Sequence, residues 1–271
     1  MELTMVVNIN YKTEEEISAL RRSNQIVGQV LAELRTMVRP GIRTRDLDAY
    51  AESRARELGA QPAFKGYRGF PASLCTSVNE VIIHGLPSER VLREGDIIGL
   101  DFGVVCEGFY GDAAVTYPVG AVEAEAGRLM AAAEQAFFKG LEHMREGRRI
   151  SDISNAIQSW VEAQGLSVIR EFVGHGIGRA LHEEPQVPNF GPPGRGPRIR
   201  AGMTLAIEPM IAAGRPEVEV LSDGWTACTR DRSLAAHFEH TVALTADGVE
   251  VLSRPVPTDA PRPRLEEKPY A

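Results

Sequence analysis

Apolar residues recur at helical spacing in four stretches of this chain, with short alternating segments after each pair. Ile17, Leu20, Val27, Leu31, Leu34 and Val38 share one helical face. Thr13 followed by Glu16 opens that helix with a capping-box pattern, and Pro40-Gly41 closes it. A second helix is predicted over residues 44–58, with Leu47, Ala51, Ala55 and Leu58 inward and Gly59 as its stop. A third is predicted over 123–146 and a fourth over 151–164, ending at Gly147 and Gly165. Gly41, Asp46 and Gly59 match Gly147, Asp152 and Gly165 at a constant offset of 106 residues. The repeat predicts two similar halves, each a helix pair followed by strands, packed about a pseudo-twofold axis.

Alternating or apolar runs at 78–84, 96–105, 109–119, 203–211 and 237–245 read as strands, and residues 1–10 as a short strand-like start. The fold class is therefore mixed α/β (α+β). Residues 191–200 form a Gly/Pro/Arg loop, and 254–271 a Pro-rich charged tail expected to be poorly ordered. The organisation is an extension over 1–12, one large domain over 13–253 and the tail.

Composition adds mainly exclusions. At 271 residues with 43% hydrophobic content the chain can bury a core without disulfides. Its net charge of -7 gives no general affinity for nucleic acid, so DNA is not expected as a partner. Cys75, Cys106 and Cys228 are too few for a disulfide framework and contain no CxxC pair. The start has no basic, apolar signal pattern, and no apolar run reaches the roughly 18 residues of a membrane span. The expected location is the cytoplasm.

The candidate chemistry lies on the strands. In 96–105, Ile98, Leu100, Phe102 and Val104 share one face, while Asp101 lies on the other between Gly99 and Gly103. A turn at Glu107-Gly108 would return Asp112 to that second face. In one register Asp112 is opposite Gly103, about 7–8 Å from Asp101 along the diagonal; in another the two acids are directly opposite. Either way, two converging carboxylates call for a proton or a cation between them. Glu208 and Glu239 repeat the arrangement, each an acid opposite an apolar strand face. His175 stands in Gly174-His175-Gly176-Ile177-Gly178, with His182 seven residues on and His84 at the end of a strand.

Asp101, Asp112, His175, Glu208 and Glu239, in that order and spacing, resemble the ligand set of type I methionine aminopeptidases. The surrounding strings agree, among them Gly108-Phe109-Tyr110-Gly111-Asp112, His182-Glu183-Glu184-Pro185, Ile207-Glu208-Pro209, Asp223-Gly224-Trp225-Thr226 and Phe238-Glu239-His240-Thr241. The likeness runs from about Thr13 to Val251. It implies the pita-bread fold, a curved antiparallel sheet in two halves covered by helices. It also implies two divalent metal ions, with Asp112 and Glu239 bridging them, Asp101 chelating one, and His175 and Glu208 completing the other. Four carboxylates and an imidazole suit Mn, Fe(II) or Co, with Zn also possible for the family. By the same resemblance Glu208 takes a proton from the attacking water, His182 contacts the scissile carbonyl and His84 the scissile nitrogen. Tyr67, Phe70, Cys75, Leu181 and Trp225 would wall the methionine pocket, with Phe64 nearby; several members carry other residues where Phe64, Phe70 and Leu181 stand.

The implied activity is removal of the initiator methionine from nascent polypeptides by a monomer of the short bacterial-type form. The spans between His175 and Glu208 and between Glu208 and Glu239 are both too short for the type II insertion. Glu2 is large, so the chain's own Met1 is expected to stay. Arg195, Arg198 and Arg200 form a basic loop expected either to be simply solvated or to dock on ribosomal RNA. Two rival readings are an Xaa-Pro peptidase of the same fold, and a metal-free pita-bread module that binds peptides or RNA. Such peptidases usually carry a large N-terminal domain and such modules usually lack ligands; this sequence shows neither trait.

Overall fold

The computed structural model describes residues 8–254; the first seven residues and all of the predicted tail after Arg254 lie outside them. The first half comprises α1 (Glu14–Met37), α2 (Thr44–Glu57), β1 (Gln61–Pro62), a 3-10 turn at Tyr67–Gly69, β2 (Leu74–Val78), β3 (Val81–Ile83), β4 (Ile97–Cys106) and β5 (Phe109–Pro118). The second comprises α3 (Ala124–Leu141), α4 (Ile150–Ala163), β6 (Ser167–Val168), β7 (Gly174–Gly176), β8 (Glu183–Val187), β9 (Thr204–Ile207), β10 (Met210–Ala212), β11 (Val218–Val220), β12 (Ala227–Thr229), β13 (Ala235–Thr245) and β14 (Gly248–Val251). None of the helices among the described residues is long and apolar enough to cross a membrane.

One antiparallel sheet runs in the order β1-β4-β5-β13-β9-β7-β8, and β2 pairs with β4. The seam between halves is β5 against β13, with β4 and β9 flanking it on either side. Each half packs its helix pair against its own strands, on the same face of the sheet. Val27, Leu31, Leu34, Leu47 and Ala51 pack with Leu100, Phe102 and Val104 in one core. Leu129, Phe137, Ile153 and Ile157 pack with Leu205, Ile207, Phe238 and Val242 in the other. The two cores stand on the helix-covered face, so the acids that alternate with these residues point to the opposite face.

Several boundaries differ from the sequence pattern. The strand expected over 78–84 is two, β2 and β3, separated at Asn79, which adopts φ 58°. The strand expected over 203–211 is broken at Glu208-Pro209, where proline cannot donate to the ladder. Helix α3 ends at Leu141 rather than near residue 146. Its tail tightens into i→i+3 turns, His143 N–H to Gly140 O at 2.9 Å and Met144 N–H to Leu141 O at 3.0 Å, which bury Met144. The described part of the first segment, residues 8–10, is not a strand.

Candidate active site

Hairpin β4–β5 pairs Asp101 with Ala114 and Gly103 with Asp112, which selects the diagonal register for the two aspartates. On the other side of β5, Ala114 pairs with Glu239. Asp101, Ala114 and Glu239 therefore lie in one row on one face. The neighbouring row holds Gly103 and Asp112, then Thr241, whose hydroxyl donates to the Asp112 carbonyl at 2.8 Å. It continues through Ala206, paired with Thr241, to His175, paired with Ala206. Glu208 follows β9 directly, two residues beyond Ala206 on the same face. Its backbone carbonyl is held by Asn189 Nδ2 at 3.0 Å. Glycine, alanine and threonine fill the positions between these side chains, so the carboxylates converge without crowding.

His175 reaches this floor from β7. A Cβ on either flanking glycine would run into backbone carbonyls, Ala206 O at Gly174 and Glu184 O at Gly176. The His175 Nδ1–H donates to Gly176 O at 2.9 Å, which leaves Nε2 with its lone pair, 3.5 Å from Glu208 Oε1. Burial, aided by neighbouring His182, holds this ring neutral with a pKa near 3.

Asp101, Asp112, His175, Glu208 and Glu239 are all buried. Burial pushes Asp101 up to about 7. Burial first, and neighbouring carboxylates second, push Asp112, Glu208 and Glu239 well above the carboxylate range. Asp101 Oδ1 and Asp112 Oδ1 have no hydrogen-bond partner. Ligand atoms of Asp112, His175 and Glu239 lie within 4.8 Å of one another. Converging acids with orphaned oxygens and an imidazole offering a free lone pair fit divalent cations, which would satisfy the oxygens and restore the ionised carboxylates.

The floor opens into a cavity of about 190 Å³, lined by the five candidate ligands, by His84 and His182, and by the expected pocket walls together with Phe64. Phe70, Cys75 and Leu181 are buried in one apolar cluster, with Tyr67 and Trp225 packed against it. Cys75 pairs with Asp101 across β2 and β4, so this wall adjoins the floor. Trp225 is set by a turn in which Asp223 accepts the Trp225 and Thr226 amides, each at 2.8 Å. Its ring meets Phe70 edge-on at 5.2 Å. His84 stands between Trp225 and Phe172 with φ 59°, a left-handed conformation unusual outside glycine. Burial lowers its pKa to about 4. His182 lies on the rim, its ring centre 4.3 Å from that of His175. The adjacent Glu183 holds the rim loop: one oxygen meets Lys12 Nζ at 2.6 Å and the other accepts the Arg179 and Ala180 amides.

Arg68, Phe172 and Val173 also line the cavity, and sequence reading missed them because they sit on loops with no periodic signal. His237 was missed although a signal existed, since strand alternation puts it on the face of Glu239. It is buried, its Nε2 has no hydrogen-bond partner, and that atom lies 3.8 Å from Glu208 and 4.0 Å from Glu239.

The chain resembles known proteins along most of its length. The profile of metallopeptidase family M24 matches residues 18–246. The methionine aminopeptidase of Clostridium perfringens is 52% identical over 242 residues, 89% of this chain and 97% of that one. Methionine aminopeptidase 1 of Bacillus subtilis is 48% identical over 90% of this chain and 98% of its own. The crystal structure of methionine aminopeptidase from Thermotoga maritima superposes with a TM-score of 0.90 at 44% identity, covering 91% of this chain and all (100%) of that one. A prolidase from Pyrococcus furiosus shares the fold, with a TM-score of 0.74 at 20% identity.

Proposed function

Because the chain belongs to metallopeptidase family M24, with methionine aminopeptidases as relatives along nearly its whole length, we propose that its cavity is the active site of a methionyl aminopeptidase. The chain is a metal-dependent hydrolase with the pita-bread fold, and its substrates are the N-termini of nascent polypeptides. The observation that carries the site assignment is the convergence of four buried carboxylates and one neutral imidazole on the floor of an apolar slot.

In this reading Asp101, Asp112, His175, Glu208 and Glu239 would together hold two divalent cations. Cations held there would supply positive charge for the substrate carbonyl and would make a nearby water more acidic. The side chains do the rest. The slot of Tyr67, Phe70, Cys75, Leu181 and Trp225 takes the unbranched thioether of methionine and excludes water around it. The substrate's free amine lies against the acidic floor, which selects a chain end over an internal peptide bond. Glu208 takes a proton from the attacking water as the new C–O bond forms. His182 donates a hydrogen bond to the carbonyl oxygen as charge develops there. His84, near the scissile nitrogen, helps return a proton as the C–N bond breaks and the amine leaves.

The test is release of methionine from Met-Ala-Ser by metal-free protein reconstituted with Mn, Fe(II), Co or Zn, beside Asp112→Asn. Metal-dependent release that the variant loses is expected. Cleavage of Ala-Pro but not Met-Ala would instead select the prolidase-type reading, and folded protein inert with every metal would select a binding module. Neither rival is favoured by the five intact ligand positions and the high identity to methionine aminopeptidases.

The same reading places the protein in the cytoplasm as a monomer. Its exposed large apolar side chains among the described residues are Tyr11, Val91, Val220 and Val249, which belong to separate elements and loops. Arg195, Arg198 and Arg200 are exposed, and the bridge from Arg198 to Arg149 sets them beside a second basic loop. That surface suits phosphate contact on the ribosome. Charge reversal at the three arginines should abolish a salt-sensitive ribosome association; unchanged association would dismiss the contact.

A further inference from the structure

Tyr67 and His182 come from opposite halves of the chain and meet across the cleft. The phenol oxygen lies 2.8 Å from His182 Nδ1, and the two rings stack with centres 5.3 Å apart at 27°. Tyr67 also packs against the apolar slot, so one side chain touches both the pocket and the histidine.

We propose that Tyr67 is a positioning residue for His182: its hydroxyl donates to Nδ1 and fixes the neutral ring in the tautomer that carries its hydrogen on Nε2. Nε2 is then a donor to the scissile carbonyl, a consequence that rests on the role given to His182 above. A neutral imidazole has one donor and one acceptor nitrogen, and the partner of one sets the other. A phenol O–H is a stronger donor than a neutral imidazole N–H, and an imidazole nitrogen is the stronger acceptor, so the bond runs from Tyr67 to His182. The reverse tautomer would turn the ring's acceptor nitrogen, not its N–H, toward the substrate oxygen.

Both partners are fixed from behind. The Tyr67 amide donates to Phe64 O and the Phe70 amide to Tyr67 O, each at 2.9 Å, so the residue sits in a closed turn. The Arg68 guanidinium lies 5.4 Å from the Tyr67 ring centre and holds that face. His182 precedes Glu183, which is tied to Lys12 and to the two amides of its own loop.

Tyr67→Phe tests this, since it keeps the ring and the wall and removes only the hydroxyl. Histidine 15N NMR, with His182→Ala for assignment, reads the tautomer in metal-free and in zinc-loaded protein. In the wild type, His182 Nδ1 should show an acceptor-type shift and Nε2 a protonated one; in Tyr67→Phe the two should move toward a mixture. With Met-Ala-Ser, kcat should fall about tenfold while KM stays within about twofold. A wild-type ring protonated on Nδ1, or a spectrum unchanged by Tyr67→Phe, would overturn the proposal. A rise in KM alone would return Tyr67 to a plain wall. If His182→Ala keeps wild-type kcat, the carbonyl role of His182 fails, while the spectrum still decides whether Tyr67 sets the tautomer.

Discussion

Helices α2 and α4 begin in the same way, 106 residues apart. Asp46 accepts the Arg43 amide and Asp152 the Arg149 amide. Thr44 and Arg45 donate to the carbonyls of Arg90 and Ser88; Ile150 and Ser151 donate to those of Pro197 and Arg195. Isolated bridges Arg43↔Val91 and Arg149↔Arg198 complete the match. The likeness continues to the floor, where Asp101 on β4 corresponds to Glu208 after β9, and Asp112 on β5 to Glu239 on β13. It then fails in an informative place. His175 pairs with Ala206, two residues before Glu208; the counterpart of Ala206 is Gly99, two before Asp101, and its partner is Ser77. Ser77 accepts the Gly85 amide at 3.3 Å and so helps hold the His84 loop instead of offering a ligand. Repetition made the acidic floor, and departures from it supplied the imidazole beside it, the other histidines and the walls.

The sharpest way to break this comparison is to remove each half's inner acid. Asp112→Asn and Glu239→Gln should each lower kcat/KM by more than about 100-fold, since even outer partners of metal ligands cost about 10- to 100-fold. Retention of activity by either would show that the halves do not contribute alike. His175→Ser gives the second half the residue of the first. Calorimetric metal affinity should then fall by at least about 10- to 100-fold, with little change in the melting temperature of metal-free protein.

A wall change should act differently. Asp223→Ala loosens the turn that sets Trp225, so KM for Met-Ala-Ser should rise about fivefold with kcat nearly unchanged, the size of one lost hydrogen bond. A matching loss of kcat would mean that the wall and the chemistry are not separable there.

The smallest effects sharpen the repeat itself. Asp46→Asn and Asp152→Asn should each cost about 1 kcal/mol in denaturant unfolding. Asp152 should cost more, because it also accepts the Gly194 amide at 2.7 Å. The Arg149 amide first, then that of Gly194, holds the Asp152 carboxyl below its ordinary value of 3.8. A lowered native pKa stabilises above the unfolded value, so the gap between wild type and Asp152→Asn should be full above pH 3.8 and close as pH falls through the native value.

The floor was legible because strand alternation and a two-residue turn fix which side chains share a face; Asp101, Asp112 and Glu239 needed only that. The helix pairs were legible from caps and stops, and Gly59 and Gly165 adopt φ 81° and 72° at the predicted ends. The end of α3 was not, because burial of Met144 in a tightened turn leaves no local signal. The break at Pro209 was written in the sequence and overridden by the apolar run around it. The walls come from well-separated segments, around Tyr67, Cys75, Leu181 and Trp225, so family resemblance rather than spacing brought them together. The Tyr67–His182 contact spans 115 residues and had no sequence signature.

Acids from both halves are expected to hold one metal centre. Anomalous diffraction from crystals grown with manganese tests it directly. Two adjacent peaks, both within bonding distance of Asp112 and Glu239, with Asp101 beside one and His175 and Glu208 beside the other, are the predicted result. Manganese bound by the residues of one half alone, or absent from this floor in an active crystal, would contradict it.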